Sequence, residues 1–102
     1  MSQHFISPEL AQELIDRYRK NVDNMTTPDF KGSMIYSERF EAAAIQAILD
    51  QPGCVSFRIY FGMKDDKTIC SIFYGVDAEG NDIVAAEKPV IVDKGLPCPP
   101  NC

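Results

Sequence analysis

The sequence predicts an α+β fold, with two N-terminal helices packed on an antiparallel sheet of three or four strands and an irregular Pro/Cys tail. Three observations predict it. Two segments of helical apolar spacing come first. A two-residue alternation follows at residues 54–62. The strand-like runs come after the helices rather than between them, and helices laid on one face of a meander satisfy that order.

Ser7-Pro8-Glu9 opens the first helix. Serine caps, proline suits the first helical position, and glutamate suits the positive end of the dipole. Leu10, Leu14, Ile15, Tyr18 and Val22 recur at helical spacing, which predicts a helix over residues 8–23. Residues 24–33 read as a loop and residues 34–36 as a brief strand. Ser37-Glu38 looks like a second cap. Phe40, Ala44, Ile45, Ile48 and Leu49 then form one apolar face, predicting a helix over residues 38–50. Tyr36 is expected to staple its first turn. Gln51-Pro52-Gly53 stops it.

In the next segment Val55, Phe57, Ile59 and Phe61 point one way, and Cys54, Ser56, Arg58 and Tyr60 the other. Residues 68–76 form the return strand. A two-residue Asp65-Asp66 loop sets Phe61 opposite Cys70, Ile59 opposite Ile72 and Phe57 opposite Tyr74. That register separates Cys54 and Cys70 onto opposite faces. Asp77 to Asp82 is a turn. Residues 83–86 are a third strand or a short helical piece, and residues 90–92 a last edge strand after Pro89.

The 102 residues make one domain, residues 1–102, with 45% hydrophobic and 25% charged residues. The net charge of -5 argues against nucleic acid or an anionic membrane as partner, because affinity there comes from Lys and Arg on phosphate. No run reaches the ~18 apolar residues of a membrane span. The N-terminus lacks a basic region followed by an apolar run, so a cytoplasmic location is expected.

Four cysteines stand at 54, 70, 98 and 102. Thiolates ligate zinc and other thiophilic metals, but a zinc site wants four ligands. Cys98 and Cys102 supply two, with Cys54 a candidate third. A disulfide between Cys98 and Cys102 is the other reading. Four extended steps would set their Cα atoms roughly 12 Å apart, so a bridge needs a turn or a cis Pro100. A tail pinned by its prolines is the third. No nucleophile elbow, phosphate-binding loop or dinucleotide fingerprint occurs.

Gly53-Cys54, Arg58-Ile59-Tyr60-Phe61-Gly62, Gly80-Asn81-Asp82-Ile83 and the terminal Cys98-Pro99-Pro100-Asn101-Cys102 together resemble a group of small uncharacterised Bacteroidetes proteins ending in Cys-Pro-Pro-x-Cys. The resemblance covers roughly the C-terminal two-thirds. It implies a bacterial origin and a cytoplasmic setting, and carries no activity with it.

The leading expectation is a small non-enzymatic interaction module without a cofactor. It self-associates as a homodimer, or binds another protein, through a strand edge or the polar face bearing Arg58 and Tyr60. The alternative is a thiol-based metal-binding or redox protein at Cys98, Cys102 and Cys54, taking zinc or another thiophilic metal.

Overall fold

The computed structural model describes residues 3–84 and 90–101. The chain divides into two compact units, residues 1–34 and residues 35–102. Among the described residues it is α+β, with two α-helices and two small antiparallel sheets of two strands each.

In the first unit, helix α1 spans Pro8–Asn21. The Ser7 hydroxyl accepts the Leu10 amide at 3.0 Å, as the capping pattern predicts. Glu13 and Arg17 pair at 3.0 Å across one turn. The helix tightens into a 3-10 turn at Val22–Asn24, which buries Val22, and a second 3-10 turn follows at Pro28–Phe30. No residue of α1 is itself buried, and Leu10, Leu14 and Ile15 all remain exposed.

The second unit begins differently from the expected helix at 38. Ser37–Arg39 is strand β1, and helix α2 spans Ala42–Leu49 with Glu41 at its N-cap. Ser37 is therefore no cap, and the Tyr36 staple loses the turn it was to brace. The Tyr36 amide instead donates to the Cys98 carbonyl at 2.7 Å. The cause is tertiary. Strand β4, Leu96–Cys98, pairs with β1 in the register Ser37 to Cys98 and Arg39 to Leu96. A distant partner supplies ladder bonds that outweigh a local capping signal. The tail expected to be irregular is thus a strand in its first part. The Cys98-Pro99 and Pro99-Pro100 bonds are cis.

Strands β2, Ser56–Met63, and β3, Ile69–Val76, form the predicted hairpin. Its register is shifted by one residue. Gly62 faces Cys70, Phe61 faces Ser71, Ile59 faces Phe73 and Phe57 faces Gly75. The loop holds three residues, not two. The Lys67 amide donates to the Lys64 carbonyl, the Lys64 amide donates to Thr68, and Lys67 takes a left-handed φ of 71°. This is the turn-plus-bulge connection. Asp66 steadies it by accepting the Thr68 amide at 2.9 Å, and the Thr68 hydroxyl, then its amide, hold the Asp66 carboxyl below its usual range. One extra loop residue exchanges faces across the strand. Cys70 therefore lies on the face of Arg58 and Tyr60 rather than on the apolar one. The Cys54 thiol lies 3.1 Å from where a Cβ of Gly75 would stand, on the face of Phe57, so the two cysteines remain on opposite faces with their sides exchanged.

Helix α2 lies against the ribbon at Gly75. A Cβ there would meet Gln51 Nε2 at 2.7 Å and Ile48 Cγ2 at 3.4 Å, so the missing side chain is what admits the helix. Among the described residues Ile48 is the most deeply buried side chain of the unit, with Cys70, Val76 and Cys98 also enclosed. Phe40 and Phe73 stack at 4.8 Å, and Phe57 continues the row at 5.9 Å. Coverage stops there. The apolar face of β2 was expected to be covered, but Phe57, Ile59 and Phe61 are 46%, 44% and 80% exposed. Residues 90–92 form no strand; Val92 alone makes a bridge, to Phe73. Asp82 bridges Val76, and the expectation for residues 83–86 falls partly outside the described residues, as does Pro89.

Candidate functional site

Alternation along β2 places Arg58 and Tyr60 on one face, and the structure brings a third residue to them. Gly80, with φ of 85°, and the Asp77 carboxylate shape the connection after β3. That carboxylate accepts the amides of Glu79 and Asn81, each at 2.9 Å. The chain folds back and delivers Asp82 to the polar face. Arg58 Nη1 donates to Asp82 Oδ1 at 2.5 Å, and Nη2 donates to the Gly80 carbonyl at 3.2 Å. The Tyr60 hydroxyl donates to the other Asp82 oxygen. Tyr74 meets the Tyr60 ring edge-on at 5.2 Å.

Both Asp82 oxygens are engaged, so the cluster is a closed clamp between β2 and the turn. The Tyr60 hydroxyl, then the Asp82 charge, hold the Arg58 guanidinium above its ordinary value. Partly exposed pairs of this kind contribute little individually. Asp82→Ala is therefore expected to lower the thermal midpoint by at most a few degrees. Arg58→Ala should then cost nothing further in the Asp82→Ala background. Additive losses in that cycle would show that the three residues do not act as one unit. Sequence reading found Arg58 and Tyr60 but took Asp82 for a turn former.

The two edges of the β2–β3 ribbon differ. On the outer side of β3, the Ser71 amide donates to Glu38 Oε1 at 2.8 Å. Phe73 exchanges both backbone bonds with Val92, at 2.8 and 3.1 Å. The Gly75 carbonyl accepts the Ile83 amide at 2.8 Å. That edge is occupied. Because Phe73 bonds outward, its cross-strand partner Ile59 does too, and antiparallel alternation extends this to Phe57 and Phe61. Among the described residues no strand pairs with the outer edge of β2. Its outward backbone groups and its exposed apolar side chains occupy one stretch of eight residues.

The cysteines are distributed as follows. Cys98 is buried at the end of β4 and is disulfide-bonded. Cys54 and Cys70 are free, and the Cys54 thiol donates to the Ser56 carbonyl at 3.1 Å. Cys102 lies outside the described residues. Among the described residues no group of three or more His, Cys, Asp or Glu is placed to hold a metal ion. No helix among them is long and apolar enough to cross a membrane. No protein-family model matches the chain, and neither a curated protein nor a solved structure matches it.

Proposed function

We propose that this chain is a small interaction module that pairs with a second copy of itself along the outer edge of β2. The observation that carries the reading is that edge: an eight-residue strand, exposed at every position but Gly62, with outward-facing backbone groups at Phe57, Ile59 and Phe61. A two-stranded ribbon is marginal by itself, and a long apolar edge is a template for another strand. The strand is self-complementary. An antiparallel pair centred on Ile59 sets Phe57 opposite Phe61 of the second copy, continuing the apolar stripe through aromatic cross-strand contacts. It also sets Arg58 opposite Tyr60 of the second copy, so no like charges meet.

The test is mass by light scattering as a function of concentration, with amide exchange mapped by residue. A particle of twice the 11.4 kDa chain mass is expected. In it the amides of Phe57, Ile59 and Phe61 gain protection as the concentration rises. Ile59→Lys places a charge on the edge and is expected to weaken association at least about tenfold, with the thermal midpoint retained at concentrations where both chains are monomeric. A chain that stays monomeric at millimolar concentration, or a dimer in which those three amides exchange freely, refutes the reading.

A further inference from the structure

A second surface lies apart from the β2 edge, where the end of β1 and the start of α2 face the segment leading into β4. The groove between them has a volume of about 470 Å³ and is half open to solvent, with its charged rim residues exposed. Phe40, Ala44, Val92 and Leu96 give it an apolar lining. Four charged residues also line it, the cations Arg39 and Lys94 and the anions Glu41 and Asp93. None of the four side chains makes an ion pair or hydrogen bond with another described residue, although both signs converge on one cleft. Lys94 takes a left-handed φ of 64°, a conformation lysine adopts uncommonly. The adjoining Gly95 is pressed onto the Phe40 ring, which fixes the segment against the apolar lining.

We infer that this groove binds a small amphoteric ligand of the amino-acid class with a bulky apolar side chain. The cations would take its carboxylate, the anions its ammonium group, and Phe40 and Val92 its side chain. A ligand with a single charge would leave one pair of groove charges unmatched, and an uncharged one would leave both. The inference goes beyond self-association and stands or falls independently of it, since no lining residue belongs to β2.

The test is a titration of the ¹⁵N-labelled full chain with L-phenylalanine, followed by amide shifts. Saturable shifts are expected at residues 39–44 and 92–96. Phenethylamine and 3-phenylpropionate, which each lack one charge, are expected to bind at least about tenfold more weakly. The variant Arg39→Gln/Lys94→Asn removes both cations, and asparagine tolerates the left-handed backbone at 94. It should lose about tenfold in affinity for L-phenylalanine and none for phenethylamine. Added salt should weaken the wild-type complex. Absence of saturable shifts overturns the inference. So does equal binding of the three probes, which would mark an apolar slot alone. Should the double variant fail to fold, the comparison of the three probes on the wild-type chain still decides.

Discussion

Phe40→Ala is expected to destabilise the protein by about 3 kcal/mol, the low end for losing a phenylalanine because this ring is only half-buried. Phe40 joins three parts of the second unit. It packs tilted on Phe73 of β3 at 4.8 Å, follows β1 directly, and has Gly95 close against its outer ring atoms. A Cβ at Gly95 would sit 2.5 Å from Phe40 Cζ, inside van der Waals contact. The two positions are therefore coupled. Gly95→Ala is expected to cost about 2 kcal/mol in the natural background through overpacking. In the Phe40→Ala background that cost should nearly vanish, because the clashing ring is gone. Urea unfolding of the four proteins measures the cycle. A loss below about 1 kcal/mol for Phe40→Ala would mean that the ring does not join these parts.

The second large effect is expected at Glu38. Its Oε1 accepts the Ser71 amide at 2.8 Å, where a neighbouring strand would otherwise sit. Its Oε2 is enclosed and makes no hydrogen bond among the described residues. The carboxylate thus substitutes for a ladder partner on the outer side of β3. Glu38→Ala strands a part-buried N–H, which costs about 2 kcal/mol. Glu38→Gln retains an acceptor for Ser71 and should cost about half as much, losing the charge assistance of the bond. Amide exchange at Ser71 separates the two variants. It should accelerate strongly in Glu38→Ala and little in Glu38→Gln. Equal exchange in all three proteins would place the stability of Ser71 elsewhere.

What could be read from the sequence followed the range of each interaction. Helix α1 was legible because Ser7, Pro8 and the Leu10–Leu14 spacing all act within a few residues. The β2–β3 hairpin was legible from strict alternation. Its register was not, because it depends on Lys67 entering a left-handed conformation. Glycine or asparagine announces that conformation and lysine does not. Ser37-Glu38 carries a sound capping signal, yet the segment is a strand because Leu96–Cys98 lies beside it. That pairing spans most of the second unit and leaves no local trace. The candidate site divides in the same way. Arg58 and Tyr60 follow from β2, whereas an aspartate that forms a turn and one that closes a clamp look alike in sequence. Asp82 does both. The groove charges were invisible for a further reason, since Arg39-Glu41 and Asp93-Lys94 meet only once β1 and β4 have paired.

The pairing of β1 with β4 also orders assembly in time. The β2–β3 ribbon and the Asp82 clamp join residues near one another along the chain, so their closure entropy is small. β1 and β4 flank everything else in the second unit and must find each other across it. The inner hairpin therefore has the kinetic advantage, and the outer ribbon closes over a scaffold already in place. Weakening β1 against β4 then shortens the lifetime of the native state while leaving the speed of its formation almost unchanged.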